Sequence, residues 1–263
     1  MYQFYYYTMR HGIPNEAIFA VNEQVPELLN SAFEEPIASS LEKYLKSHDQ
    51  KTWEHCMGVA KLMGTMALES EYGQDLPAKT INEFIITGGI HDIGKTIMNP
   101  GKISSNERFS ASDWIIIEQH PLAGYVIGKE HFPDRLLIPE LVLVHHSLQS
   151  RSYPDESIIE ALIGEKSKDK KDILNFGTTV IAIADQAEAR IPTGEHNTHQ
   201  YRDRVGYSVG DLMDSMRKEI IQSPNFQIPN KTFFDLLAIT EVVLSKTVEY
   251  YSQKDLELLE ANS

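Results

Sequence analysis

Apolar residues recur every three or four positions along most of the chain from Pro26 onward, a spacing that places them on one face of an α-helix. The pattern is clear after Trp53, where Val59, Leu62 and Met66 follow at helical intervals. Alternation with a period of two, typical of strands, is scarce. The sequence therefore predicts an all-α bundle, with helices over about 27–46, 53–71, 80–92, 110–120, 122–130, 139–146, 175–190, 208–222, 231–250 and 253–261.

Capping residues and prolines mark some of the predicted helix ends. Ser110-x-x-Asp113 resembles a capping box that opens a helix, and Pro121 should end that helix at His120. Residues 1–25 are aromatic-rich and aperiodic, which indicates an arm or a short strand rather than a domain. The chain has no internal repeat and no Gly/Ser linker that would separate two domains.

The composition is that of an ordinary globular protein, with 41% hydrophobic and 24% charged residues. The single cysteine, Cys56, excludes an intramolecular disulfide and a cysteine-rich zinc site, and it suits a reducing compartment. The first residues lack the basic and apolar regions of a signal peptide. No apolar run approaches the length of a membrane span. We therefore expect a cytoplasmic protein that is not embedded in a membrane.

The net charge of −14 narrows the class of partners. A long nucleic acid requires a basic face, so this balance argues against one as a partner. A small anionic substrate is still compatible with it, because bound divalent cations would reverse the local field in a pocket.

Imidazole and carboxylate groups appear in apolar, helix-patterned segments through the middle of the chain. Buried ionisable groups are costly without partners, and divalent metal ions would supply them. The groups exceed what one tetrahedral ion uses, and nitrogen and oxygen ligands suit iron, manganese or nickel, with zinc also accepted. The sequence thus predicts a metal-dependent hydrolase whose metal ligands are His55, His91, Asp92, His120, His145, His146 and Asp185.

Two other positions have a structural interpretation. His48-Asp49 is also a His-Asp pair, but it lies in a polar stretch between helices and predicts a solvated turn or a helix cap. Cys56 follows His55 on a helix and so points about 100° away from it, which favours a place in the core.

The motifs around these ligands resemble the HD superfamily of metal-dependent phosphohydrolases and, within it, the HD-GYP family of cyclic dinucleotide phosphodiesterases. The double histidine and the distal QHP histidine are the features that separate this family from ordinary HD domains. The resemblance covers about residues 40–205 and rests on TWEHCMGVAKL, HDIGK, NPGK, WIIIEQHPLAGYVI, LVLVHH and VIAIADQAEA.

The resemblance implies an HD-domain helical bundle that binds two divalent ions, with iron or manganese expected and nickel or zinc as alternatives. One ion would be held by His55, His91, Asp92 and Asp185, and the other by Asp92, His120, His145 and His146. A hydroxide bridging the ions would attack phosphorus, with Asp92 and Lys95 as catalytic residues and Lys95 also contacting the phosphate. The implied substrate is cyclic di-GMP, opened to linear pGpG and cut further to GMP. The domains expected are an N-terminal arm and first helix (1–40) and a catalytic domain (41–263) whose C-terminal helices span 206–263.

The sequence departs from the family pattern around the substrate. The stretch HHSLQSRSYPD keeps only Tyr153-Pro154 of the GYP tripeptide, and Ser152 stands where glycine is expected. A longer segment with the basic run KSKDKK at 166–171, which we expect to be a solvated loop, precedes Asp185. Substrate contacts are expected at Lys95, Tyr153, Arg190 and Arg202. The departures leave the preferred cyclic dinucleotide open.

Three alternatives follow from the same residues. The first is an HD phosphohydrolase for another cyclic dinucleotide, such as cyclic GMP-AMP, or for a mononucleotide or alarmone. The second is a catalytically inactive module that binds a cyclic dinucleotide and signals by contact, although the intact ligand set argues against it. The third is a helical scaffold, which would leave the buried ionisable groups unexplained. The apolar C-terminal helices could also support a homodimer.

Overall fold

The computed structural model describes residues 13–103, 109–149, 151–190 and 208–261, without the side chains of Phe19 and 255–261. Within these ranges the regular structure is helical and no strand occurs, which confirms the predicted all-α fold. The α-helices are α1 (Asn15–Phe19), α2 (Val25–Glu34), α3 (Pro36–His48), α4 (Gln50–Glu69), α5 (Glu71–Gln74), α6 (Ala78–Ile90), α7 (Pro100–Ile103), α8 (Ala111–Ile117), α9 (His120–His131), α10 (Leu137–Val144), α11 (Glu156–Ile163), α12 (Lys168–Arg190), α13 (Val209–Ile221) and α14 (Asn230–Ala261). A 3₁₀ helix, Ile93–Ile97, follows α6.

Helices α4 and α6 form the centre of the bundle and pack against each other. Helix α12 lies against α4, and α10 contacts both α6 and α12. The facing surfaces are apolar and fully enclosed, as at Met63 of α4, Phe84 of α6 and Ile181 of α12. Such close-packed interiors hold side chains in fixed rotamers. The helices that carry the candidate ligands are therefore fixed relative to one another.

Two predicted helix boundaries beside prolines are wrong. The predicted helix over 27–46 is two helices, because Pro36 disfavours helical backbone at Glu35, which is extended with φ −61° and ψ 125°. His120 does not end a helix but begins α9, with Pro121 in the first turn, where its missing N–H costs nothing. The capping box predicted at Ser110 and Asp113 is confirmed.

Four further segments differ from the prediction. Residues 15–19 form the short helix α1 instead of a strand, and 156–163 form the unpredicted helix α11. Residues 168–171 of the basic run are the exposed first turn of α12 rather than a loop. The two predicted C-terminal helices are one, since α14 runs without a break from Asn230 to Ala261.

None of the helices that the structure describes is long and apolar enough to cross a membrane. The division of the chain at residue 40 stays a prediction.

Candidate metal centre

Seven side chains that the sequence singled out come together at one end of the central helices. His55 projects from within α4 and Asp185 from within α12. The other five lie at helix ends: His91 and Asp92 follow α6, His120 begins α9, and His145 and His146 follow α10. All of the predicted metal ligands are therefore in one cluster.

Asp92 lies between two groups of imidazoles, and its carboxylate oxygens face different groups. Oδ1 lies 3.1 Å from Nε2 of His120 and 3.8 Å from Nε2 of His145. Oδ2 lies 3.6 Å from Nε2 of His91 and 3.9 Å from Nε2 of His55. A carboxylate in this position can serve two cations at once.

The remaining distances complete the two groups. Oδ1 of Asp185 is 3.1 Å from Nε2 of His55 and 3.9 Å from Nε2 of His91. Three of the side chains, His55, His91 and Asp185, each offer a ligand atom within 4.8 Å of the others, and His120, His145 and His146 do the same. We call these the first and the second ligand group.

The tautomers of three imidazoles follow from their hydrogen bonds. Nδ1 donates to a main-chain carbonyl three residues earlier in each ring: His91 to Gly88, His120 to Ile117 and His145 to Val142, at 2.8, 2.6 and 2.6 Å. A carbonyl only accepts, so Nδ1 carries the proton and a neutral ring has its lone pair on Nε2.

Two features of the imidazole nitrogens indicate that cations fit this cluster. Nε2 of His120 and Nε2 of His145 lie 3.0 Å apart, so two lone pairs would face each other if both rings are neutral. Nε2 of His91 and Nδ1 of His146 are buried without a hydrogen-bond partner among the described residues. Unpaired buried acceptors are costly, and a divalent ion removes the cost by accepting the lone pairs. The donor set of imidazole nitrogens and carboxylate oxygens is the one that first-row divalent metals accept.

The turn after α6 brings Asp92 to the N-terminus of α9. A Cβ atom at Gly94 would lie 1.9 Å from the carbonyl oxygen of His120, so only glycine permits this approach. Lys95 follows within the 3₁₀ helix, and its Nζ donates to Oδ2 of Asp92 at 2.5 Å. The HDIGK motif thus sets Asp92 between His120 and the ammonium of Lys95.

Burial and charge shift the pKa values of the cluster in opposite directions. Burial lowers the pKa of His145 well below its usual value, and the neighbouring imidazoles lower it further. Burial, reinforced by His120, also lowers the pKa of His146 to about 3. Burial works to lower the pKa of His55, but the carboxylates of Glu188 and Asp185 outweigh it and raise that pKa to about 10. His145 and His146 are therefore neutral at ordinary pH, whereas His55 keeps its proton until a cation displaces it.

The acidic members are ionised. Burial works to raise the pKa of Asp92, but the Lys95 ammonium and then His91 outweigh it and hold that pKa well below its usual value. Burial likewise opposes ionisation of Asp185, but the hydrogen bond and charge of His55 lower its pKa. Two buried, ionised carboxylates thus lie in a cluster of imidazoles in which burial lowers the pKa values of His91, His145 and His146, an electrostatic arrangement that favours cations.

The predicted substrate contacts lie in different surroundings. The Tyr153 ring stacks on His146 with centroids 4.4 Å apart and meets His120 edge-on at 6.0 Å. Arg190 points away from solvent, with its side chain 4% exposed and Nη2 donating to Oε2 of Glu219 at 2.9 Å. Arg202 lies outside the described residues. Among the predicted contacts that the structure describes, Lys95 reaches Asp92 and Tyr153 packs against His120 and His146 of the second ligand group.

Sequence reasoning missed two polar neighbours of the cluster. Glu188 accepts a hydrogen bond from Nδ1 of His55, and Gln149 donates to Oδ2 of Asp185 at 3.0 Å. Glu188 follows Asp185 by three residues on one helix, and such residues share a face, so that spacing was a usable signal. Nothing in the sequence distinguishes Gln149 from other residues of its polar loop.

Cys56 and the second His-Asp pair also have defined places. Cys56 is buried as predicted, but its sulfur lies within 4.8 Å of ligand atoms of His91 and Asp92, and burial raises its pKa well above the usual value. His48 bonds to the carbonyl of Met98 at 3.0 Å. Asp49 caps α4 by accepting from the backbone N–H of Thr52 at 2.8 Å, as a helix cap does, although it is buried rather than solvated.

Comparison with known proteins identified a family and a fold. Residues 52–189, more than half of the chain, match the profile of the family described as HD domain. A search of curated proteins found no match. The crystal structure of the HD domain of the L. monocytogenes phosphodiesterase PgpH in complex with cyclic-di-AMP is 20% identical, covers 78% of this chain and 96% of its own, and superposes with a TM-score of 0.53. The same domain in a second crystal structure is 18% identical, with coverage of 80% and 98% and a TM-score of 0.51. These likenesses establish a shared fold.

Proposed function

The chain belongs to the HD domain family, and from this premise we propose that it is a metal-dependent phosphodiesterase that hydrolyses a cyclic dinucleotide. The observation that carries the proposal is the position of Asp92, whose two oxygens face separate ligand groups at 3.1–3.9 Å. A single carboxylate between two imidazole groups is suited to a binuclear centre, the arrangement that clamps attacking and leaving oxygens in phosphoryl transfer.

Each ligand group would hold one ion, with Asp92 shared between them. In this assignment the first group, His55, His91 and Asp185, surrounds one ion, and the second, His120, His145 and His146, surrounds the other. We propose iron or manganese as the ions, with nickel or zinc as alternatives accepted by the same donors. Such cations supply Lewis-acid chemistry, since they acidify water and polarise a phosphoryl oxygen.

The exposure of the ligands indicates where the substrate would approach. The side chains of His91, His120 and His145 are closed off from solvent, whereas those of Lys95, His55 and His146 are 22%, 16% and 12% exposed. A phosphate arriving from the open side would meet the Lys95 ammonium first. Lys95 is positioned to offset the negative charge that builds up on the non-bridging oxygens during in-line displacement.

Tyr153 would form part of the wall of this opening. Its ring covers His146, and its position in a loop after the double histidine suits contact with a base or ribose of the substrate. We propose it as a substrate contact on this ground. The burial of Arg190 against Glu219 means that a substrate contact there would require the ion pair to open.

As the substrate, we propose cyclic di-GMP, whose bases are both guanine, with linear pGpG and GMP as products. Its support is the resemblance of the double histidine and the QHP histidine to the HD-GYP family. Cyclic di-AMP is the second candidate, because the L. monocytogenes PgpH domain with the same fold was crystallised with that nucleotide. The reduced GYP tripeptide, with Ser152 before Tyr153, leaves base preference to experiment.

The test is a hydrolysis panel with metal analysis. Purified protein, reconstituted with manganese and, anaerobically, with ferrous iron, is incubated with cyclic di-GMP, cyclic di-AMP, cyclic GMP-AMP and an alarmone, and products are separated by chromatography. We expect two ions per chain and turnover of cyclic di-GMP. Turnover of another cyclic dinucleotide alone would overturn the base assignment, and two bound ions with binding but no turnover would indicate an inactive module. A protein that binds no metal would overturn the proposal altogether.

A further inference from the structure

His55 differs from the other imidazoles of the first and second groups in what holds its outer nitrogen. His91, His120 and His145 donate from Nδ1 to main-chain carbonyls of their own segments. His55 lies within α4, and its Nδ1 donates to a carboxylate of another helix, Oε2 of Glu188 in α12. Its orientation therefore depends on a side chain that can be replaced without altering the backbone.

The carboxylate of Glu188 is shielded from solvent. The residue is 5% exposed, and a buried carboxylate is costly unless it is hydrogen-bonded. It lies one helical turn after Asp185, so α12 presents both carboxylates to the same imidazole. Asp185 faces Nε2 of His55 at 3.1 Å, and Glu188 holds the opposite ring nitrogen.

The sequence of α4 makes room for Glu188 at one position. A Cβ atom at Gly58 would lie 2.6 Å from Cγ and 2.9 Å from Oε1 of Glu188, closer than real contacts allow. Glycine within a helix costs about 0.5–1 kcal/mol relative to alanine. Gly58 is one turn after His55, so the carboxylate crosses the surface of α4 over this glycine to reach the ring.

We infer that Glu188 is a positioning residue for the ion of the first group, and that Gly58 provides the space it needs. By accepting the Nδ1 proton of His55, Glu188 leaves the Nε2 lone pair directed between Asp92 and Asp185, where that ion would bind. Carboxylates in this role orient the ring and increase the basicity of the ligating nitrogen. The inference rests on the proposed function, since it presupposes the two ions.

The test measures metal binding rather than activity. Free manganese is followed by electron paramagnetic resonance while Mn²⁺ is titrated into the metal-free protein, and the data are fitted to two sites. Losing an outer partner of a ligating histidine weakens binding about 10- to 100-fold. We expect Glu188→Gln to weaken one manganese site by this factor and to leave the other unchanged.

Gly58→Ala tests the same contact from the other helix and should reproduce the effect by displacing Glu188. Gly64→Ala, also on α4, is its matched control, because the added Cβ would lie 3.1 Å from Cγ1 of Ile85 in α6, away from Glu188. That control should keep both affinities. If one of the two test variants does not fold, as judged by circular dichroism, the other decides.

A thermodynamic cycle identifies the affected site. His55→Ala removes the ring that Glu188 holds, so adding Glu188→Gln to it should produce no further loss, whereas adding it to His120→Ala should produce its full effect. Equal weakening of both sites, additivity with His55→Ala, wild-type affinities in both test variants, or the same loss in Gly64→Ala would each overturn the inference.

The outcome separates this inference from the proposed function. If the wild-type protein binds two manganese ions and cleaves a cyclic dinucleotide while the variants bind normally, only the role of Glu188 is wrong. If the wild-type protein binds neither manganese nor ferrous iron, both proposals are wrong.

Discussion

Acidification should destabilise the metal-free protein, because histidines of the unfolded chain bind protons that the buried imidazoles of the folded protein do not bind. Burial and then His120 lower the pKa of His146 from 6.5 to about 3 in the folded state. Between these values the unfolded state binds more protons, so stability falls as the pH falls through this window. The pKa values of His91 and His145 are also lowered by burial, and these residues act in the same direction.

The size of the effect follows from linkage. With a pKa of 6.5 unfolded and about 3 folded, His146 alone should remove about 2 kcal/mol of unfolding free energy between about pH 7 and about pH 5. His55 works in the opposite sense, since its pKa is raised to about 10. Its contribution is lost as the pH rises from 6.5 toward 10, so acidification from about pH 7 restores only the last part of it, about 1 kcal/mol or less, which partly opposes the loss. Glu83, whose pKa is raised by burial, partly opposes the loss.

Urea unfolding in the presence of EDTA, followed by circular dichroism, measures this change. Because other groups also titrate, the informative quantity is the pH dependence of wild type minus that of His146→Gln, which cannot take up the proton. The variant should lose about 2 kcal/mol less than wild type over the same pH interval. An identical pH dependence in the two proteins would refute the claim that His146 is held neutral by its surroundings.

Three further predictions concern the neighbouring residues. Asp92→Asn should lower manganese content and abolish hydrolysis, because it removes the anionic oxygens that face both ligand groups; elemental analysis with full occupancy and activity would contradict a shared carboxylate. Lys95→Ala should keep both ions, because the ammonium that it removes competes with a cation for Asp92. The variant should nevertheless lose about 10- to 150-fold in kcat/KM, which corresponds to a charge-assisted contact of about 1.5–3 kcal/mol. Unchanged kinetics would rule out contact between Lys95 and the phosphate. Asp49→Ala should cost about 1 kcal/mol of stability as a lost helix cap, and His48→Ala should be mild, with metal content and rate unchanged in both; metal loss in either would extend the site to this pair.

The cluster of candidate metal ligands was predictable because ionisable side chains are costly to bury in the positions that these residues occupy. Few structural roles other than metal binding account for so many imidazoles and carboxylates in apolar helical segments. The order of the residues along the chain also distinguished these candidates from accidental pairs such as His48-Asp49. Periodicity did not place these residues in space. On sequence alone Pro121 predicts the end of a helix at His120, whereas in the structure it fits the first turn of α9 and places His120 at the beginning of that helix.

The surroundings of the cluster were harder to predict, since they depend on contacts between distant segments. Glu188 and His55 are 133 positions apart, and their contact requires both the crossing of α4 with α12 and the absence of a side chain at Gly58. The predicted contact at Arg190 shows the same limit. A basic residue near a phosphate site is a reasonable substrate contact, but α13 supplies Glu219 as its partner. In both cases, the local sequence of one helix does not indicate which residue of the other helix will contact it.

The C-terminal helices belong to the support of the metal centre even though they lie beyond the region that matches the HD domain profile. In the turn that follows α13, Ser223 and Asn225 donate to the carbonyl of Ser147, the residue directly after the double histidine, at 3.4 and 3.2 Å. Glu219 of α13 holds Arg190 at the end of α12, the helix that carries Asp185. These contacts hold two segments that carry candidate ligands, the turn after α10 and helix α12, from outside the region that matches the profile. They favour the proposal that residues 41–263 act as one catalytic unit, because a bundle lacking α13 and the turn after it would lose both the hydrogen bonds to Ser147 and the ion pair between Arg190 and Glu219.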